Sequence, residues 1–458
     1  MLNDNQLALI PIDICVPVQV FRADYTIVQN NQLPFVREFI LRLLELSNMT
    51  KDQIGKFMGF TEKETEVALG QMINLDEIQV NDKGKFQLTP KAQGYFSSQQ
   101  ENRPKTQCLE DIRKEFRFDL LTFSYVKSNE KVGSATSAIR IYPSTEAIST
   151  SGKSAKSAFQ RYFHQIHEEE DFRYLTIDNP DLYKISSFKK QSEKFQRFNQ
   201  VYGLDTDRNR VEPIQSPDFL SKEEVVAFLS KHLRDNRPAN NHREIATVFD
   251  SFDYEFGVSS LKRGYLDVAE YGIEARRSVL SGDKYKPLVG SLILNDNWSI
   301  FEKQLDAAIN ASPKKSVNVT WIAPSDGYWA KSEYQLQHFK NLSAKKKVNL
   351  EVFLPVPHRK DRKVRKGYIN QFRPLKESLR GFVEGYLKGC GEVVIINDRA
   401  AFVMCYLYQN NDFLPIPFGF LTEDPHVISE LISSFKSYLS QLDGEFESRD
   451  LGSLHKLK

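Results

Sequence analysis

Four stretches of this chain carry residue types that could act on phosphate, a metal or an electrophile. Residues Ala147 to Ser154 (AISTSGKS) fit the looser form of a phosphate-binding loop, with Ala in place of the first Gly and Lys153 and Ser154 set to reach phosphate. Such a loop needs a buried strand running straight into it and a helix opening at the Lys, so that backbone N–H groups converge on the anion. Tyr142-Pro143-Ser144-Thr145-Glu146 separates it from any strand, and a Ser/Thr/Lys-rich surface loop is the competing reading. His164 and His167 stand three apart, and His164 shares a helical face with Glu168; a metal site would need a third ligand the sequence does not supply. No metal or cofactor is expected. Cys390 offers a thiol, but no His is near it in sequence, and a buried strand-end Cys is usually an inert small hydrophobe.

The fourth stretch is electrostatic. His358 to Lys366 (HRKDRKVRK) holds Arg359, Lys360, Arg362, Lys363, Arg365 and Lys366 against one Asp, and Lys345, Lys346 and Lys347 stand just before the apolar run Val348 to Val356. Residues 313–400 carry 18 Lys/Arg against 8 Asp/Glu, a net of +10 in a chain whose total is +2. These nine cations are the candidate nucleic-acid contacts, since phosphate neutralisation dominates such binding. Tyr368 and Phe372 beside the basic loop could stack on bases or simply pack.

Elements that could position these groups are legible in the last third. Trp298 to Asn310 sets Phe301, Leu305, Ala308 and Ile309 on one helical face, ahead of an expected strand at Val317 to Ala323. A polar helix with Tyr334, Leu336 and Phe339 follows, then the buried-strand pattern VNLEVFLPV. CGEVVIINDRAAFVMCYL (Cys390 to Leu407) reads as a strand hairpin, and Pro417 to Leu421 as another strand. An acidic-Pro turn and a helix with Val427, Leu431, Ile432 and Phe435 come last.

This order, over about residues 290–442, resembles the phospholipase D superfamily, in which His-x-Lys-x4-Asp climbs a buried strand and Gly-Ser-x-Asn follows on the next. Laid ungapped on that pattern, Cys390 falls at the His, Glu392 at the Lys and Asn397 at the Asp, while Met404, Cys405 and Leu407 fall at the Gly, Ser and Asn. The resemblance implies the fold without the reaction: phosphodiester cleavage of this kind needs an attacking imidazole and a cation on the phosphate oxygens, and Glu392 would repel them. Active members of that family unite two motifs by duplication or dimerisation; one degenerate copy here leaves a homodimer open.

The N-terminal region has its own signature. Leu33 to Ser47 is amphipathic, with Phe35, Phe39, Leu43 and Leu46 in phase; Thr50 with Gln53 and Thr61 with Glu64 form capping boxes for two more helices. Asn81-Asp82-Lys83-Gly84 between two short apolar runs signals a hairpin. Over residues 33–97 this resembles a winged helix-turn-helix. Its third helix opens Glu62-Lys63-Glu64-Thr65-Glu66, and the region has eight Lys/Arg against nine Asp/Glu. That charge favours docking a protein over reading DNA, although Lys83 and Lys85 keep the second reading open.

Residues 105–290 are least informative. Expected there are strands at Phe116 to Val126, Ala138 to Tyr142 and Tyr254 to Gly257, and helices at Ala155 to Glu169, Ser221 to Arg234 and Tyr265 to Ser281.

Composition bounds the class. The chain has 458 residues, 40% hydrophobic and 27% charged, which suits several globular domains and argues against long disorder. Four cysteines without CxxC spacing suit a reducing cytosol, and no apolar run is long enough to span a membrane.

The sequence therefore predicts a mixed fold in three parts. These are a winged-helix module at 1–100, an α/β region of unknown role at 101–289, and a catalytically degenerate phospholipase-D-like mixed sheet flanked by helices at 290–458. It predicts a cytoplasmic, non-catalytic, nucleic-acid-binding and assembly subunit. DNA would meet the C-terminal basic loop, and another protein the N-terminal module. Degenerate domains of this type resemble components of bacterial DNA-processing and phage-defence systems. A nucleotide hydrolase acting through residues 147–154, or a pure protein-interaction scaffold, is the alternative.

Overall fold

Two threonines organise the N-terminal helices. The computed structural model describes residues 6–96, 105–133, 137–170, 180–205, 210–214, 216–235, 238–261, 265–277, 284–356, 361–409 and 413–440. Thr50 caps the helix Lys51–Met58 through a capping box with Gln53, and Gly59 ends it at φ +71°. Thr61 caps Glu62–Asn74 in the same way with Glu64. The strands Ile78–Val80 and Phe86–Leu88 then pair antiparallel. Asn81 shapes their turn, its Oδ1 accepting the N–H groups of Lys83 and Lys85 at 3.0 Å. Glu77, fully buried, is held by a two-pronged ion pair from Arg37.

The first helix of this group, Phe35–Leu46, buries Ile40, Leu41, Leu43 and Leu44. Phe35, Phe39 and Leu46 instead face solvent, at 72%, 42% and 82% exposure. Of the expected stripe Phe35, Phe39, Leu43 and Leu46, Leu43 alone joins the core; the helix is apolar on two sides, and periodicity does not separate them.

The chain divides into two compact units. One comprises Val18–Glu130 and Thr145–Glu193 and includes the helices and hairpin above. Within it, Val18 to Gln32 pairs antiparallel with the strand Lys105–Asp119, from Val18↔Asp119 to Gln32↔Lys105. The helices Thr145–Arg161 and Phe163–Glu169 close an aromatic core on that ribbon, where Tyr25 meets Phe159 edge-on at 5.2 Å.

The other unit comprises Met1–Pro17, Lys131–Ser144 and Lys194–Lys458. Its centre is a seven-stranded mixed sheet in the order Lys286–Val289, Ile416–Thr422, Ala400–Leu407, Gly391–Ile396, Val317–Ile322, Val348–Pro355 and Leu379–Val383. The last three strands run parallel, and the remaining neighbours pair antiparallel. Both faces are covered, which explains the unbroken apolar strand sequences. Along Gly391–Ile396, Val394 and Ile396 point to a core shared with Phe301, Leu305 and Phe339 of the helices Asn295–Ala311 and Glu333–Ala344. Val393 and Ile395 point to the opposite core, with Phe249 of the helix His242–Asp250 and Leu431 of Pro425–Ser440. Strand alternation thus yields a three-layer helix–sheet–helix arrangement. Gly419 is required where strands meet closely, because a Cβ there would stand 1.9 Å from the carbonyl oxygen of Val403.

One expectation for the middle region changes, and two long strands are unexpected. Glu255–Ser260 is a helix after Tyr254, not a strand. The strands Gln6–Gln32 and Asp181–Asp205 have no counterpart among the sequence-based expectations. The second of these reads SSFKKQSEKFQRFNQ in its middle, with too many polar residues on both faces for alternation to show.

Candidate nucleic-acid interface

The motif hairpin forms as the sequence suggests, and its chemistry is structural. Glu392 is buried on the strand Gly391–Ile396 and accepts three donors: the indole N–H of Trp321 at 2.7 Å, the indole N–H of Trp329 at 2.8 Å and the hydroxyl of Tyr406 at 2.9 Å. Burial pushes its carboxyl above the usual range, while the three donors pull the other way. Cys390 is buried and its thiol donates to the carbonyl of Leu387 at 3.3 Å. Beside it the Cys405 thiol is fully buried, and burial pushes it well up. Asn397 turns the chain at the far end of the strand, where its Oδ1 accepts the N–H of Asn318 at 2.8 Å. Met404 and Leu407 are core residues.

The carboxyl ends of the parallel strands open instead into a cleft of about 690 Å³ lined by polar and apolar groups. Its floor is the segment Ser325 to Lys331, which follows the strand Val317–Ile322. One wall is the helix Arg362–Gln371; Arg140, Tyr142 and His232 contribute others. This is where open α/β sheets place ligands. Neither Cys390, Glu392 nor Asn397 lines it. The resembled catalytic positions lie outside the cleft; Trp329 donates to both Glu392 and Asp326 of its floor, and the N–H of Ser325 donates to the Gly389 carbonyl at 2.7 Å.

The floor is held firmly. Asp326 is buried and accepts the Tyr408 hydroxyl together with the N–H groups of Tyr328 at 2.8 Å and Trp329 at 3.1 Å. Burial pushes its carboxyl up. Ala330 is left-handed at φ +57°, a conformation that costs a non-glycine residue about 1 kcal/mol or more. Gln371 pins it by donating to its carbonyl at 2.8 Å. The carbonyl of Lys331 accepts the N–H of Asp13 at 2.7 Å. The Asp13 carboxylate, 1% exposed, in turn accepts Arg197 at 2.5 Å, Asn199 at 2.7 Å and the N–H of Glu333 at 2.8 Å.

The seven described candidate cations stand in two groups, at opposite ends of the strand Val348–Pro355. Arg359 and Lys360 lie outside the described residues. Asp361, the one acid of the run, caps the helix Arg362–Gln371 by accepting the N–H of Val364 at 3.0 Å. The expected loop is thus in part a helix, from which Arg362, Lys363 and Lys366 reach solvent. Arg365 is half-buried over the Phe382 ring, 5.2 Å from its centre. Lys345, Lys346 and Lys347 stand at the other end of the strand Val348–Pro355, roughly 25 Å away at the usual rise per residue. Lys345 is also paired with Glu302 at 3.7 Å. Tyr368 and Phe372 pack: Phe372 is fully buried against Trp329, and Tyr368 joins the same cluster.

The other chemical motifs fare differently. Residues 147–154 lie inside the helix Thr145–Arg161, where the Thr150 hydroxyl donates to the Glu146 carbonyl. No loop gathers backbone N–H groups around a phosphate there. His164 and His167 lie on the helix Phe163–Glu169, and among the described residues no three His, Cys, Asp or Glu come together to hold a metal. No described helix is long and apolar enough to cross a membrane.

Sequence reasoning missed Asp13, Arg140 and Lys331, which are far apart in the chain and belong to no motif. Comparison with protein families, characterised proteins and solved structures finds nothing that matches this chain.

Proposed function

We propose that this chain is a non-catalytic nucleic-acid-binding and assembly subunit. In this reading the seven-stranded sheet and its helices are a phospholipase-D-like domain whose catalytic positions have become structural. The three helices and hairpin over 33–97 are a winged-helix module that docks a protein. The observation that carries the reading is a contrast. Glu392 is sealed by two indoles and a phenol, whereas Arg362, Lys363 and Lys366 reach solvent from a helix that walls a cleft containing Arg140 and Lys331. Cations are kept where phosphate could be tracked, and the positions aligned with the catalytic residues lie outside that cleft.

The docking role rests on exposed apolar area and on charge. Phe35 and Phe39 form a tilted ring pair at 5.0 Å, and Phe57 is 63% exposed. On the third helix, Glu62 and Glu66 are both held by Lys51, an arrangement suited to a protein surface and ill suited to phosphate. Membership of a bacterial DNA-processing or phage-defence assembly follows by architectural analogy.

Gel-shift titration with duplex DNA, single-stranded DNA and RNA at several salt concentrations tests the reading. Affinity that falls steeply with salt, and substrate recovered intact after incubation with divalent metal, is expected. No shift at the lowest salt, or cleaved product, would contradict it.

A further inference from the structure

We propose that the cleft at the carboxyl ends of the parallel strands is a binding site for a nucleoside phosphomonoester, with Lys331 and Arg140 as its phosphate contacts. The two cations line the same cleft, and Lys331 Nζ has no hydrogen-bond or ion-pair partner among the described residues. Asp326 is the one carboxylate among the described lining residues. Its oxygens are already taken by the Tyr408 hydroxyl and the N–H groups of Tyr328 and Trp329. Two like charges facing one cavity repel each other, and burial adds to the cost. The Lys331 amine is accordingly held below its usual range, first by burial and then by the Arg140 charge. An anion entering the cleft counters the repulsion and gives the buried amine a partner.

Phosphate alone does not account for the space. At about 690 Å³ the cleft is within the 300–1,000 Å³ range of small-molecule sites. Part of the lining is apolar or aromatic. Tyr142 stands at the rim, 67% exposed, with Pro238, Pro355 and the Tyr368 ring nearby, a surface on which a base can lie. Asn370 adds an exposed amide that can fix its orientation. The floor is preorganised for binding, since Ala330 is pinned by Gln371 and Lys331 is pinned through its carbonyl by Asp13. The same chemistry is offered by a free mononucleotide and by the 5′-phosphorylated end of a strand. Neither source depends on strand tracking by the helix Arg362–Gln371.

Calorimetric titration of the full chain and of K331Q with 5′-AMP, and separately with adenosine, tests the site. AMP is expected to bind at least about tenfold more tightly than adenosine, and K331Q to lose that margin with an unchanged melting temperature. Equal binding of the two ligands, no binding of AMP at about 5 mM, or a folded K331Q that binds AMP as the parent does would overturn the proposal. A 5′-phosphorylated oligonucleotide that displaces AMP, where its 5′-hydroxyl twin does not, identifies the source as a strand end. Failure of both to displace it identifies the free nucleotide, and the phosphate site stands in either case. Loss of oligonucleotide affinity in R362Q/K363Q/K366Q with AMP binding intact separates this site from the proposed strand-binding helix.

Discussion

The indole N–H of Trp321 meets the carboxyl of Glu392 across neighbouring strands at 2.7 Å, with both side chains buried. Trp329 and Tyr406 complete the shell, so the position that aligns with a catalytic lysine is a structural clasp. E392L leaves three buried donors without an acceptor, at about 1–3 kcal/mol each. Denaturant unfolding at pH 5 should show a loss of at least about 3 kcal/mol. A loss under 1 kcal/mol would mean the clasp is absent.

Glu392 and Asp326 should also make stability depend on pH. Burial raises both carboxyls above their ordinary range. Their contribution is therefore fully present below the unfolded-state value and is lost as pH rises through the folded value. E392Q keeps an acceptor for the indoles but cannot ionise, so its stability between pH 4 and pH 8 should fall less than the parent's. Parallel curves would show that Glu392 does not titrate differently in the folded state.

The two faces of the helix Phe35–Leu46 can be told apart by truncation. L41A, at a fully buried site, should cost about 2–5 kcal/mol. F39A, at a residue 42% exposed, should cost less than about 1 kcal/mol in the isolated chain. The reverse ranking would restore the stripe that sequence periodicity selects.

The N-terminal helices show where sequence reading succeeds and where it stops. Capping boxes at Thr50 and Thr61 are local, because cap and partner stand three residues apart, and both are present. The strands Val317–Ile322, Val348–Pro355 and Gly391–Ile396 are legible because burial on both faces leaves unbroken apolar runs. The choice between two apolar helix faces depends on what packs there, which no local pattern records. The cleft is illegible for a related reason. Arg140 and Lys331 are brought to one cavity by the fold, and their local sequences, AIRIY and WAKSE, are ordinary. The run His358 to Lys366 is legible as charge, but Asp361 as a helix cap is not.

Asp13 joins the first strand to the cleft floor through Arg197, Asn199 and Glu333 while its own N–H holds Lys331. D13A leaves a half-buried Arg197 without its buried partner and should cost about 3 kcal/mol or more in unfolding experiments. A change within about 0.5 kcal/mol would show that this carboxylate is not a structural hub.

The two basic groups should act separately, since roughly 25 Å lies between them. A duplex of about six base pairs, near 20 Å long, cannot bridge that distance. K345Q/K346Q/K347Q should leave its affinity unchanged and weaken only longer duplexes. An equal loss on the short duplex would place both groups on one contact surface.

The salt dependence of DNA binding, followed by fluorescence anisotropy for the parent and for R362Q/K363Q/K366Q, tests the central claim most directly. Parent affinity should fall steeply with salt, the variant should lose about two to three units of the logarithmic slope, and the DNA should remain uncut. Identical slopes for parent and variant would contradict the assignment of this helix as the phosphate-tracking surface.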